Sequence, residues 1–399
     1  MDQTARNVSV DFKAQPTLGT PATGAGAKRF RFNGTGGLAL TKSKIRSNEN
    51  RSDGQSTLGR HGPRSVAGSY PADATLGTFD ELTEAVVRGT WSAPLVITEA
   101  TAGLTSVTTV ADGIVASAGS WITAGLRKGD VIRPTGLPDA ANNSRNLRIV
   151  ELTALKITTA ETLTVNATPD SAFTITRPKK LVNPAVPVRR LFTFEEREND
   201  IDASALFPDC RVSSLKVTLS PDGMVLLEFG IVGRDMQVLE GAASPNFTDP
   251  TETSTLGLVA VDASIRLGST TLASLTACEF TMDLGASTMA VLGSPLSQDV
   301  YDNNMRPIAG SLSAIRSDMT LLKSFLAEDQ LGLHLLLVEP DSEPKDFLSF
   351  YLPLLTLDGN TKNFGADGPL IQTVPFEAGK LLSSTNGDLT MVHIQSSAA

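Results

Sequence analysis

The side chains that most often carry catalysis are scarce in this chain: three histidines, His61, His334 and His393, and two cysteines, Cys210 and Cys278. No histidine stands three or four positions from another His, Cys or carboxylate, the spacing that turns two ligands onto one helix face. The CxxC, HExxH, GxSxG and GxxxxGK[ST] patterns are absent, which leaves no metal site, nucleophile elbow or phosphate loop to build on. Gly34, Gly36 and Gly37 precede a strand instead of opening a helix, so they make a poor phosphate cradle. The run Glu195-Glu196-Arg197-Glu198 offers paired carboxylates for acid–base work. It stands at a strand end before a polar loop and reads better as a solvated, mixed-charge turn. His334 lies inside the apolar run 333–338 and reads as structural. The cysteines read as two reduced, buried thiols, with a single disulfide as the alternative. No catalytic, cofactor or metal residue is assigned, and the chain is not read as an enzyme.

What remains are two long polar loops. Residues 47–64 contain Asn50, Arg51, Asp53, Arg60, His61 and Arg64; residues 285–306 contain Gln298, Asp299, Tyr301, Asp302, Asn303, Asn304 and Arg306. Loops of this length inside a compact domain are usually functional or disordered. Their equivalent places in the chain argue for a shared use, contact with another copy of the same protein, against the alternative of two tolerated surface loops. The self-assembly residues are expected to be Asn50, Arg51, Asp53, Arg60 and Arg64 in the first loop. In the second they are Asp299, Tyr301, Asn303 and Arg306.

The equivalence comes from a repeat. Arg64-Ser65-Val66-Ala67-Gly68-Ser69-Tyr70 returns as Arg306-Pro307-Ile308-Ala309-Gly310-Ser311-Leu312. A helix signal follows each copy. The first is a capping box with Thr78 as N-cap and Glu81 reaching back; the second has Ser317 as N-cap, Asp318 in the first turn, and Met319, Leu322, Phe325 and Leu326 on one face. Leu191-Phe192-Thr193-Phe194-Glu195-Glu196 then resembles Leu335-Leu336-Leu337-Val338-Glu339-Pro340. Val217-Thr218-Leu219 before Pro221-Asp222-Gly223 parallels Leu355-Thr356-Leu357 before Asp358-Gly359. Arg64 and Arg306 are 242 positions apart but Leu191 and Leu335 only 144, so 98 residues occur in the first copy alone. Residues 92–187 are therefore expected to be an inserted domain of short strands, a small β-barrel or β-sandwich. The first unit then comprises residues 34–91 and 188–250, and the second residues 251–395. Residues 1–33 are poor in core-forming side chains and read as a flexible N-terminal arm.

Composition agrees with strands and turns. Apolar residues make up 41% of the 399 positions and charged ones only 19%, with a net charge of −9. That balance disfavours a high-affinity nucleic-acid binder, which needs clustered Lys and Arg. No apolar run reaches the ~20 residues that span a bilayer, and the first ten residues lack a signal peptide's hydrophobic stretch. Folding in a cytoplasm without a membrane partner is expected.

These features resemble the tail tube (major tail) proteins of long-tailed bacteriophages. The likeness lies in the strand, the long polar loop, Ser65-Val66-Ala67-Gly68-Ser69, the helix at 79–88 ending near Trp91, and Phe192-Thr193-Phe194-Glu195-Glu196. It continues into the hairpin from Cys210-Arg211-Val212 to Val232-Gly233. The resemblance implies a mainly β chain of two tandem tail-tube-type β-sandwich or split-barrel units, each with one flanking α-helix. It implies rings that stack into a tube through which DNA and the tape measure protein pass, with tail terminator and distal tail proteins at the ends. Family members mostly carry one unit and form hexamers; two units per chain imply homo-trimeric rings with pseudo-sixfold character. It also implies a place in the virion tail after assembly in the host cytoplasm, and no cofactor. A distal tail or baseplate hub protein of the same fold, closing a single ring, is the alternative.

Overall fold

Val8, Val10 and Phe12 alternate with polar residues, the period-two pattern of a half-buried strand. In the computed structural model, which describes residues 2–272, 274–303, 305–339, 344–364 and 367–398, they form β1 (Val8–Gln15). It pairs along its whole length with β14 (Leu191–Glu198), Val8 opposite Glu198 and Gln15 opposite Leu191. β2 (Lys28–Phe30) pairs with β1 in turn. Phe12 and Phe30 are fully buried, and the cations of β2 pair within the chain, Lys28 with Glu81 and Arg29 with Asp11. The reading of residues 1–33 as a flexible arm is thus corrected: two of its segments are strands, and their aromatic side chains enter the core.

The body is built from large antiparallel sheets. One run has the order β3 (Gly37–Ile45), β4 (Arg60–Asp73), β16 (Leu226–Gly233), β15 (Ala203–Leu219). A second has the order β20 (Leu275–Asp283), β23 (Ile308–Ile315), β27 (Ile371–Ala378), β25 (Phe347–Leu357). β15 is long enough to serve two layers. Its first half pairs with β14 and with β17 (Gln237–Glu240), its second half with β16. β25 does the same: it pairs with β24 (Leu331–Val338) as far as Leu355 and with β28 (His393–Ser396) in its first half, and its end pairs with β27. β18 (Ser264–Leu267) lies on β24 as β1 lies on β14, and carries the short β19 (Thr270–Thr271). β26 (Thr361–Asn363) prolongs the line of β25 along β27. β15 and β20 pair directly, from Ser214 opposite Asp283 to Leu219 opposite Cys278, and so fuse the two runs into one sheet. Phe79, Phe194, Phe229, Phe280 and Phe350 belong to a single continuous core.

The strand pairing explains the repeated Ala-Gly-Ser. A Cβ on Gly68 would stand 2.0 Å from the carbonyl oxygen of Gly37 on β3; on Gly310 it would stand 2.5 Å from that of Glu279 on β20. Both glycines let a neighbouring backbone approach where no side chain fits. Both runs also carry one extra residue at matching points. The register of β15 on β16 shifts between Val212 and Ser214, and the five residues from Leu357 to Thr361 face four from Phe376 to Thr373. The chain reverses after β26 near Asp367-Gly368, where Gly368 has φ +90°. Asp358-Gly359, read as that turn, instead lies within the strand line, and the Asp358 amide donates to the Pro375 carbonyl at 2.8 Å.

Each run has a helix, and both capping readings need correction. α1 (Asp80–Val87) has Phe79 at its N-cap without a side-chain bond; Thr78 is taken by Thr75 and Thr253, and Glu81 by Lys28. α2 (Thr320–Leu326) has Met319 at its N-cap, and the Asp318 carboxylate accepts from the Thr320 amide at 2.8 Å. Only Leu321 of α2 is buried, whereas Met319 and Leu326 are exposed. Pro340 falls outside the described residues.

Eight short strands form a separate antiparallel sheet: β5 (Leu95–Thr98), β6 (Val107–Val110), β7 (Gly113–Ala116), β8 (Val131–Thr135), β9 (Leu147–Leu152), β10 (Lys156–Thr159), β11 (Asn166–Asp170) and β12 (Thr174–Arg177). They enclose their own core, with Trp121 and Phe173 edge to face at 6.0 Å. β13 (Lys179–Val182) pairs instead with β28 of the body, and the Ser92 amide donates to the Lys180 carbonyl at 2.8 Å. The stretch 92–187 therefore contains one strand of the body sheet at its end.

Candidate functional site

The two long loops differ in state. β3 ends at Ile45 and β4 begins at Arg60; the residues between them are exposed almost throughout. Asn50, Arg51 and Asp53 are solvent-facing, and Arg51 pairs with Asp53 inside the loop at 2.9 Å. Their hydrogen bond holds the exposed Asp53 carboxyl below its usual value. Arg60 is exposed at the start of β4, opposite Ile45. Arg64 is half-buried: its guanidinium reaches Asp235 at 3.0 Å, and its amide donates to the Pro295 carbonyl at 3.0 Å.

The second loop folds back onto the first unit. It contains a small hairpin, β21 (Ser287–Thr288) with β22 (Val300–Tyr301). Asp299 pairs with Arg211 at 3.1 Å, and Asp302, nearly buried, pairs with Arg88 at 3.2 Å and Arg189 at 3.1 Å. Arg234 donates to the Ser297 carbonyl at 2.6 Å and to Asp209 at 2.9 Å. Tyr301 sits half-exposed on β22. The Asn303 amide donates to the Leu284 carbonyl, and Arg306 pairs with Asp283 at 2.7 Å. Asn304 lies outside the described residues. Of the nine residues expected to serve self-assembly, Asp299, Asn303, Arg306 and Arg64 are bonded to residues outside their own loops, and Arg51 and Asp53 pair with each other. Arg88, Arg189, Arg211 and Arg234 carry this clasp and were missed, because scattered single arginines leave no sequence pattern.

Among the described residues, each of the two runs of the body has an open outer edge. Among the described residues β3 pairs with β4 alone, and the Leu38 amide on its outer side donates to Glu196 at 2.8 Å. The outer edge of β25 is covered by β24 as far as Leu355, and among the described residues no strand pairs with it from residue 356 through β26. Open edges present unpaired N–H and C=O groups and invite another strand.

The polar residues set aside in the sequence have structural duties. Glu195 is fully buried in β14 and accepts from the amides of Asn246 and Phe247 at 2.7 and 2.9 Å. Glu196 accepts from the Tyr70 hydroxyl at 2.6 Å, and burial raises its carboxyl above the usual range. This corrects the reading of the run as a solvated turn: backbone donors satisfy the buried charge. His334 is buried, 2.8 Å from the Ser349 hydroxyl, and burial pushes its imidazole well below the usual value. Cys210 and Cys278 are free and buried, and burial pushes the Cys278 thiol up to about 12. Asp130, Asp388 and His393 bring one possible ligand atom each within 4.8 Å of one another. Lys180 already stands between the carboxylates, at 2.9 Å from Asp130 and 3.0 Å from Asp388, so an ammonium occupies the place a cation would take. This cluster ties the eight-stranded sheet to the body.

Residues 5–378 match the family described as "Phage tail tube protein". No curated protein matches the chain.

Proposed function

Because the chain belongs to the phage tail tube protein family, we propose that it polymerises into stacked rings, three chains to a ring, forming a conduit for DNA leaving the capsid. Its place is the virion tail, and its role is structural. The observation that carries the ring reading is the matching strand order of the two runs, β3-β4-β16-β15 and β20-β23-β27-β25. The paired glycines and the matching extra residue support a duplicated tube unit. Eight strands per chain make 24 in a ring of three, and at about 4.8 Å per strand the barrel circumference is about 115 Å before tilt. That leaves a bore of about 35–40 Å between backbones, wider than a DNA duplex. An acidic chain suits a lumen that must not retain its cargo, since phosphate binding needs clustered cations.

The units divide as residues 34–91 with 188–250, residues 251–395, and an inserted β domain that decorates the outside. β1 and β2 join the first unit, and β13 the second. The loop at 46–59 contacts a neighbouring ring. Beyond copies of itself, its partners are the tape measure protein and DNA in the lumen and the terminator and distal tail proteins at the ends. Electron microscopy of the purified protein, with mass measurement of isolated rings, tests this. Long tubes of three-chain rings are expected. Six chains per ring overturn the duplication, single rings point to a distal or hub role, and monomers under all conditions overturn the tube itself.

A further inference from the structure

Lys180, Asp130, Asp388 and His393 meet where β13, β28 and the turn before β8 converge. Lys180 lies on β13 opposite Gln395 of β28. The Gln395 side chain accepts from the Val131 amide at 2.6 Å, which fixes Asp130 beside it. Lys180 Nζ stands 2.9 Å from Asp130 Oδ1 and 3.0 Å from Asp388 Oδ2. The side chain of Asp130 is 0% exposed, that of His393 1% and that of Lys180 8%. Two features exceed what an ion pair needs. The Arg127 amide donates to Asp130 Oδ2 at 2.7 Å, so the two carboxyl oxygens have unlike surroundings. Both ring nitrogens of His393 lack a hydrogen-bond partner, although Nε2 lies 3.3 Å from Asp130 Oδ1 and Nδ1 3.5 Å from Asp388 Oδ2. Buried polar atoms are ordinarily satisfied, and an orphaned pair calls for a role.

We propose that Lys180 and Asp130 condense spontaneously into an amide, an isopeptide bond that fastens the eight-stranded sheet to the body. The ion pair is the state before reaction. Passing one ammonium proton to Oδ1 turns it into a neutral amine and a neutral acid, and burial favours uncharged forms. The Nζ lone pair then adds to Cγ, and the Arg127 amide stabilises the charge that gathers on Oδ2. Asp388 takes a second proton from the nitrogen, and His393, lying between the two carboxyls, delivers a proton to Oδ1. Burial pulls the His393 imidazole down to about 4, so once protonated it gives the proton up readily. The Cγ–Oδ1 bond breaks and water leaves. Of the three ammonium protons two depart on Oδ1 and one stays on the amide nitrogen. Nothing is oxidised or reduced, and no co-reactant is needed. Holding the partners in contact replaces the high concentration that condensation in water requires. The amide ties the start of β8 to β13, so the attachment cannot swing off the body without breaking a covalent bond.

The test is mass spectrometry of the full chain, folded at neutral pH and then denatured. A loss of about 18 Da, one water, is expected. A succinimide at an Asp-Gly step loses the same mass, so trypsin locates the bond. Residues 129–145 joined to residues 180–189 are the expected product, because Pro134 blocks cleavage after Arg133 and the amide blocks it after Lys180. Lys180→Arg and Asp130→Ala should carry the full mass and yield no joined peptides. Asp388→Asn and His393→Gln keep both reacting groups and should slow bond formation about tenfold or more after refolding, with circular dichroism showing that they fold. Full mass and no joined peptides from the folded parent chain, after days at neutral pH, overturn the bond. Joined peptides that appear as fast in Asp388→Asn and His393→Gln overturn the proton path.

Discussion

At the residue scale, the tightest constraints are burial and close approach. Burial, then the Lys180 ammonium, pull the His393 imidazole down to about 4, against the attraction of Asp130 and Asp388. The folded state thus holds His393 neutral, whereas an unfolded chain binds its proton near 6.5. Stability from this group is intact above about 6.5 and drains away as pH falls toward 4, by about 3 kcal/mol in all. Asp388 acts in the same direction. Burial alone would raise its carboxyl, but His393 and Lys180 hold it below the usual value, so its contribution is lost on acidification. Thermal unfolding of monomers between pH 7 and 4 should show a falling midpoint, with a shallower fall in His393→Gln. Equal slopes would remove His393 as the cause. The glycines give a sharper pair. Gly68→Ala and Gly310→Ala should each cost about 1–3 kcal/mol in chemical denaturation, the usual toll of forcing atoms into a packed site. A neutral Gly310→Ala would mean that β20 can yield where β3 cannot.

At the element scale, the loops and the first strand now divide differently from their sequence reading. Residues 46–59 have no docking partner among the described residues of the single chain, whereas residues 285–303 are clasped by Arg88, Arg189, Arg211 and Arg234. If the loop is ordered by a neighbouring ring, as proposed, hydrogen exchange should be fast in residues 46–59 of monomers and slow in tubes. Residues 8–15 and 285–303 should be protected in both states, and fast exchange of the second loop in monomers would refute the clasp. The repeat was legible because Arg64-Ser65-Val66-Ala67-Gly68 and its second copy serve the same backbone contact. β1 was also written plainly, as Val8, Val10 and Phe12 at alternate positions, but averaging composition over 33 residues hid an eight-residue strand. The capping box failed for a different reason. Tertiary partners, Thr253 for Thr78 and Lys28 for Glu81, outcompeted the local bonds, and nothing in a local window announces them. The arginine clasp was illegible because its members are brought together only by the fold.

At the scale of the whole molecule, the eight-stranded sheet between Leu95 and Arg177 is an attachment whose two ends lie side by side at Ser92 and Lys180. Deleting residues 94–177 and bridging with Gly-Ser, so that β13 stays in the body sheet, should give tubes of unchanged bore. The melting temperature should fall, because Val131 packs on Leu336 and Phe347 and the Asp130–Lys180 pair is lost. Insoluble aggregates from this deletion would make the attachment part of the core. The β15–β20 junction has a kinetic side as well. A ring of six separate bodies must surrender independent translation and rotation five times, at several kcal/mol each at standard concentration. A ring of three double-length chains does so twice, because half of its junctions are formed during folding and stay tethered at a high effective concentration. The step that starts a tube then depends on a lower power of protein concentration, and rings can close in a cell before the subunit has accumulated to the level six bodies would need.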